Sequence, residues 1–240
     1  MNRYWSLAIL LAGAVGWYYQ HQEIPTPQPQ LSPAKAPQTI RLPSKPVRGL
    51  SSSWTIYSSG TEGATTAAGQ IFTPPAEAPT LTRIGFKFDQ SYHGQLQPEL
   101  SFQIILSEWE LDRPSPIEVW ASETRTLPST TETYKYTWQD FNVPLIKLDA
   151  NKEYIAWITL SDLGNPPGIS TSVPDMGPSY RASPTIDPNA QPIHNYEQGR
   201  SAFFRVANPG GSRQSMTGYA WEVRNPGQNL FFRMFFKVTP

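Results

Sequence analysis

The residues of this 240-residue chain that best suit binding chemistry are aromatic rings beside polar side chains. Trp120 alternates with Glu118 along a strand-like segment, and Val119 takes the opposite face. Trp138 alternates in the same way with Tyr136. Flat Trp and Tyr faces bind sugar rings by stacking, while polar neighbours orient the sugar. Trp120, Glu118 and Trp138 are therefore predicted to contact a ligand. The alternative is that the rings belong to the core.

A second group of candidate residues lies in residues 161–199, which are rich in proline and glycine. This stretch is predicted to be a long loop, and long loops inside compact domains are often functional. It carries Tyr180, His194 and Tyr196, a mixture that suits polar contacts with a ligand. These three residues are predicted to join the binding site. The alternative is a crossover connection that covers one sheet edge.

Motifs for catalysis are missing from the sequence. Glu108 and Glu110 stand at i and i+2, on one face of a predicted strand, whereas the carboxylates of a glycosidase usually converge from different elements. There is no nucleophile elbow, no metalloprotease His motif and no phosphate-binding glycine loop, and the chain has no cysteine. The chain is therefore predicted not to be an enzyme.

Signals for metals, cofactors and nucleic acids are equally weak. His93 and His194 have no histidine neighbour at the spacing of a zinc site. Residues 161–165 offer oxygen ligands for a structural calcium ion but lack the repeated Asp of a calcium loop. No cofactor is predicted, and calcium is the open alternative. The 14 basic and 18 acidic residues after position 48 leave a net charge of about −4, which argues against a nucleic-acid partner.

Residues 1–23 have the pattern of an export signal or a single N-terminal membrane anchor. Arg3 precedes an uncharged, largely apolar run from Tyr4 to Tyr19, shorter than the ~20 residues that a spanning helix needs. The small residues 12–14 resemble a cleavage site, whereas aromatic pairs at both ends of the run resemble the belts of a membrane helix. Either interpretation places the domain on the periplasmic or extracellular side of the membrane, anchored or secreted after cleavage.

Residues 24–48 are predicted to form a proline-rich, basic linker. They contain seven prolines and a net charge of +4. Each proline fixes φ and removes a backbone donor, so the linker is expected to be extended and semi-rigid. Its charge suits contact with anionic lipid or cell-wall polymer, and plain solvation is the alternative.

Residues 49–240 are predicted to form an all-β domain, a two-sheet β-sandwich of jelly-roll type. Short apolar or alternating runs bounded by Gly, Pro, Asn and Asp recur along them, without alternating helices. Within Thr80–Phe88 the alternation puts Thr82 on the buried face and Leu81 on the other. The apolar segment Tyr154–Leu160 is predicted to be a central strand.

Four segments of the domain each resemble a different motif of one protein family. They are Gly69–Phe86, Ile117–Ser122, Phe141–Tyr154 and Asn229–Met234. Together they resemble a family of exported bacterial β-sandwich proteins that often carry PEP-CTERM-type sorting tails and are similar to carbohydrate-binding modules. The resemblance spans residues 54–238. It implies the fold more than an activity, because functions in that family are largely unassigned.

The sequence as a whole predicts a non-catalytic cell-envelope protein whose sandwich binds a glycan or cell-surface polymer. The alternative is a structural or assembly protein that docks a partner protein in an envelope complex. Scattered aromatic residues beside polar ones favour the first function, whereas a contiguous exposed apolar patch favours the second.

Overall fold

The computed structural model describes residues 39–42, 52–60, 63–89, 99–132, 136–176, 198–206 and 211–238. The chain divides into two units, Met1–Ala36 and Pro37–Pro240, and all described residues belong to the second. The predicted signal or anchor lies outside the described residues. Within them, no helix has the length and apolar character needed to cross a membrane.

The described residues form fourteen strands and one short helix. In chain order these are β1 (Thr39–Leu42), β2 (Ser52–Tyr57), β3 (Thr65–Phe72), β4 (Thr80–Asp89), β5 (Leu100–Glu110), β6 (Arg113–Ala121), β7 (Arg125–Leu127), β8 (Tyr136–Lys147), β9 (Tyr154–Thr159), β10 (Ser170–Met176), β11 (Arg200–Arg205), α1 (Arg213–Gly218), β12 (Glu222–Val223), β13 (Asn229–Leu230) and β14 (Phe232–Lys237).

The strands form two seven-stranded antiparallel sheets. The first sheet has the order β1-β14-β4-β10-β13, with β8 also paired to β4 and β2 to β10. The second has the order β12-β11-β3-β9-β5-β6, with β7 also paired to β5. The sheets pack face to face through one apolar core, to which Phe86 of the first sheet and Phe102 and Phe203 of the second contribute. The predicted all-β sandwich is confirmed.

One prediction about the core face of β4 is wrong. Ile84 and Phe86 are buried in the core as predicted, but Leu81 is buried with them and Thr82 is only half-buried. The pairing of β4 with β8 shifts between Leu81 and Arg83. In the pairing with β14, Phe235 and Phe236 lie opposite Arg83 and Leu81, so Thr82 is an extra residue in β4. This β-bulge reverses the alternation, which no period-two pattern within β4 can reveal.

Two strands lie in segments that were predicted to lack them. β1 lies inside the predicted linker and pairs with β14 along its whole length, from Thr39 opposite Lys237 to Leu42 opposite Met234. β10 lies inside the predicted loop 161–199 and pairs with β2 over six residues. Both strands are short and carry no extended apolar run, so their pairing partners contribute more to their structure than their own residue pattern.

The second sheet also has a buried outer side. Trp157 of β9 lies there rather than between the sheets, together with Trp109, Met216 and Trp221. Helix α1 and the residues after it cover this side, with Met216 fully buried. As a result β3 and β9 are buried on both faces, in agreement with the predicted central position of Tyr154–Thr159.

Candidate ligand-binding face

The candidate site is the side of the first sheet that faces away from the core, here called the outer face. On the core side, Ile84 of β4 lies opposite Phe141 of β8 and Met234 of β14. Side chains alternate along a strand, so the neighbouring positions project to the other side. The charged and aromatic residues that β1, β4, β8 and β14 place there are Arg41, Arg83, Lys87, Asp89, Tyr136, Trp138, Asp140, Lys147, Arg233, Phe235 and Lys237.

At the centre of the outer face, Arg233 joins an acid and an aromatic ring. Arg233 Nε donates to Asp140 Oδ1 at 2.7 Å, and its Nη2 is hydrogen-bonded to Oδ2. The guanidinium carbon lies 4.2 Å from the centroid of the Trp138 ring. Gly85 lies beneath this group, and a Cβ there would overlap Asp140 Oδ1. The glycine therefore makes the close approach of the ion pair to β4 sterically feasible.

A second cation lies on an aromatic ring beside this pair. The guanidinium carbon of Arg83 is 3.7 Å from the centroid of the Phe235 ring, and that of Arg41 is 5.8 Å away on the same ring. Among the described residues, no carboxylate lies within ion-pair distance of Arg41 or Arg83. Their guanidinium groups are held by the ring and keep free hydrogen-bond donors.

A third cation lies between two rings at the other end of β4. Lys87 Nζ is 5.0 Å from the centroid of Tyr136 and 5.1 Å from that of Phe231. Tyr136 and Trp138 share the outer face, as their alternation predicted. The outer face thus consists of cations supported by half-buried or buried rings.

The structure changes the role expected of Trp138. Trp138 was predicted to offer an open ring for stacking on a sugar. Instead the Arg233 guanidinium covers one side of the ring, and the side chain is half-buried. The covered side cannot accept a sugar while Arg233 is in place. Trp138 therefore supports a cation at the outer face, and its contact with a ligand stays a prediction.

The predicted pairing of Trp120 with Glu118 on one face is wrong. Trp120 lies opposite Leu106, whereas Glu118 lies opposite the neighbouring Ser107, so the register shifts between them. Trp120 is half-buried against the core, with its ring centroid 6.4 Å from that of Phe141. A bulge on β6 thus puts the two side chains on opposite sides of the sheet.

On its own side of the second sheet, Glu118 is paired with the first residue of α1. Arg213 Nη2 lies 2.7 Å from Glu118 Oε1. The structure does not bring Trp120, Glu118 and Trp138 together into one site. The other predicted contacts, Tyr180, His194 and Tyr196, lie outside the described residues and stay predictions.

Three of the residues considered for catalysis or calcium, Glu108, Asp162 and Asn165, have structural partners. Both oxygens of Glu108 lie 2.9 Å from Lys152 Nζ, and this hydrogen bond raises the pKa of Lys152 above 10.5. Asp162 Oδ2 accepts the backbone N–H of Arg213 at 2.8 Å. Asn165 accepts from the backbone N–H of Ser101 at 2.7 Å. In the described part of the chain, no three His, Asp or Glu residues are grouped as a metal site would need.

Sequence reasoning did not select the cations of the outer face as candidates. A signal for Arg83 and Lys87 was present, because both alternate with apolar residues along β4. Arg233 stands within the aromatic run Phe231–Phe236, so a buried strand was the natural interpretation. The three cations come together only because β4 lies between β14 and β8.

Comparisons with known proteins give little further guidance. No protein-family model and no curated protein matches the chain. One similar solved structure contains the cysteine protease and lectin-like domains of Cwp84, a surface-layer-associated protein of Clostridium difficile. It has 11% identity and a TM-score of 0.40, over 73% of this chain and 32% of that chain. Another, the clostridial cysteine protease Cwp84 after propeptide cleavage, has 9% identity and a TM-score of 0.41, over 77% and 37%.

The chain spans about a third of the length of these two solved chains. Both likenesses are weak, and neither the fold nor the function proposed below rests on them. The resemblance to exported bacterial sandwich proteins also stays a prediction beyond the fold itself.

Proposed function

We propose that the chain is an exported, non-catalytic envelope protein that binds a glycan or cell-surface polymer on the outer face of its first sheet. The observation that carries this proposal is the row of ring-supported cations formed by Arg41, Arg83, Lys87 and Arg233. Such a row offers many hydrogen-bond donors along an extended surface, which suits a chain-like ligand rather than a small molecule in a cleft. Export is supported by the pattern of residues 1–23.

The hydrogen bonds of the two acidic side chains at the outer face favour a binding role over catalysis. Asp140 is engaged by two nitrogens of Arg233, so it is poorly placed to donate or accept a proton in a reaction. Asp89 is buried and accepts a hydrogen bond from Ser53 at 3.1 Å.

The first test is a binding screen of the full chain against a glycan array and purified cell-wall polysaccharides. Trp138→Ala removes the ring that supports Arg233, and we expect it to weaken binding by about tenfold or more. Tyr219→Ala is the matched control, because this ring is 60% exposed and follows α1, which lies on the second sheet. Loss of affinity in Trp138→Ala alone supports the proposal. Unchanged affinity in that variant, with the fold intact by circular dichroism, contradicts it.

One observation favours docking of a partner protein as a second candidate function. Leu111 and Tyr219 are exposed, at 84% and 60%. The backbone segments next to them are joined, since the Trp221 N–H donates to the Asp112 carbonyl oxygen at 2.8 Å. An exposed apolar pair of this kind suits a protein contact. If no glycan binds and a Leu111→Ser/Tyr219→Ser variant abolishes a crosslinked protein adduct in the envelope, the second function replaces the first.

A further inference from the structure

We infer that the outer face selects an anionic polysaccharide, one that carries carboxylate, sulfate or phosphate groups along its length. This inference rests on the proposed function and names the class of its ligand. The argument comes from the distribution of paired and unpaired charge over the described residues, from the way the rings hold the cations, and from their spacing.

Basic residues away from the outer face are mostly neutralised by nearby carboxylates. Ion pairs of this kind join Lys152 to Glu108, Arg200 to Glu153, Arg205 and Arg224 to Glu222, and Arg213 to Glu118. On the outer face the described carboxylates are fewer, and only Arg233 is paired with one. Lys147 and Lys237, each opposite Thr80, extend the cationic row at one end.

The outer face is therefore basic although residues 49–240 carry a net charge of about −4. Within the described residues, no carboxylate lies within ion-pair distance of Arg41, Arg83 or Lys87. Segregated charge of one sign on one face attracts a ligand of the opposite sign and speeds its association.

The rings preorganise these cations for anions. Arg83 stacks at 3.7 Å on Phe235, which restricts the guanidinium while leaving its edge donors free. Those edge donors match the geometry of a carboxylate, sulfate or phosphate group. The Arg233 guanidinium covers one side of the Trp138 ring, so a neutral sugar can stack only on the other side.

The spacing of the cations suits a polymer. Arg83 and Lys87 are four residues apart on one strand, roughly 13 Å at the usual strand rise. Arg41 and Arg83 share the Phe235 ring, so the row holds two separate groups of donors, one at that ring and one at Lys87. The separation of these two groups along β4 is too large for one small anion to span. All described rings of the face are half-buried or buried, so they are poorly placed to insert into a lipid surface.

The experiment compares polymers that differ only in charge. The full chain is titrated with dextran sulfate against dextran, and with polygalacturonate against its methyl ester, by biolayer interferometry at low and high salt. We expect binding to the charged member of each pair only. Affinity is expected to fall by about tenfold or more between 50 and 500 mM salt, because salt screens exposed charges.

Two variants with the same charge change locate the binding face. Arg83→Gln removes one unpaired cation from the outer face. We expect about tenfold weaker binding, because one charge-assisted contact with the ligand is lost. Lys152→Gln removes one cation beside the second sheet and is expected to leave the affinity unchanged. Equal weakening in both variants would show a response to net charge alone and would overturn the inference.

The remaining outcomes separate the inference from the proposed function. Binding to neutral glycans only, lost in Trp138→Ala, overturns the anionic preference but leaves glycan binding in place. Binding to phosphatidylglycerol vesicles without binding to any polymer overturns the inference and assigns the face to a membrane surface. If neither charged nor neutral polymers nor array glycans bind, both the inference and the proposed function are wrong.

Discussion

Gln70 is a fully buried amide that joins the two sheets. From β3 of the second sheet, its Nε2 donates to Asn229 Oδ1 at 2.7 Å, and its Oε1 accepts the Leu230 N–H at 3.0 Å, both in β13 of the first sheet. Nε2 also lies 2.9 Å from the Ile71 carbonyl oxygen. A satisfied polar group in a dry core stabilises one register of the two sheets, because any other register leaves polar atoms unpaired.

Gln70→Leu is expected to lower the free energy of unfolding by about 2–4 kcal/mol, since it removes the acceptor of the buried Leu230 N–H and the donor to Asn229 Oδ1. Urea unfolding measures this loss, provided that the unfolding free energy of both proteins falls with urea concentration at the same slope. Gln139→Leu is the control, at a half-buried position whose amide has no hydrogen bond to a described group. A loss under ~1 kcal/mol in Gln70→Leu would show that the amide is dispensable.

At the scale of elements, α1 and the residues after it turn the second sheet into a layer buried on both sides. Ser212 caps the helix by accepting the Ser215 N–H at 3.3 Å. Trp221 Nε1 donates to the Met216 carbonyl oxygen at 2.7 Å and packs edge-on against Trp157, 5.7 Å between centroids. Because α1 and Trp221 cover this side of the second sheet, the proposed ligand site is assigned to the first sheet.

Met216→Ala is expected to cost about 2–5 kcal/mol, because it opens a cavity beneath the helix. Gln214→Ala, at an exposed position of the same helix, is expected to change stability by less than ~0.5 kcal/mol. Urea titrations followed by tryptophan fluorescence measure both changes. Similar small losses in the two variants would mean that the helix adds little to the packing of the second sheet.

At the scale of the whole molecule, the folded unit is larger than the domain predicted from residue 49. β1 lies outside that domain and covers the edge of β14, with Leu42 buried at the core and Ile40 packed against it. An uncovered β14 would present unpaired backbone groups, a template for association between chains. Arg41 also reaches the outer face from β1, so the same strand serves both stability and the candidate site.

A chain of residues 49–240 is expected to be less stable than one of residues 37–240 by about 2–4 kcal/mol, from the lost burial of Ile40 and Leu42. It is also expected to aggregate more readily, through the exposed edge of β14. Thermal unfolding and light scattering compare the two chains at equal concentration. Identical melting temperatures and equal scattering would show that β1 is not part of the cooperative unit.

Much of the strand content could be predicted from the sequence. The segment Tyr154–Leu160, predicted to be a central strand, contains β9, which is buried on both faces. Long apolar or alternating runs carry their own signal, since their burial follows from period-two geometry. The shared face of Trp120 and Glu118 was predicted wrongly because a bulge in the β5–β6 pairing breaks that period.

By itself the sequence determined an all-β sandwich with many short antiparallel strands, because residue type and alternation act locally along each strand. Only the tertiary structure decided which residues share a surface. Arg41, Arg83 and Arg233 come from three strands far apart in the chain and meet on one face through the order β1-β14-β4. The physical reason is that strand order and register are set by long-range hydrogen bonding and core packing, which no single segment encodes.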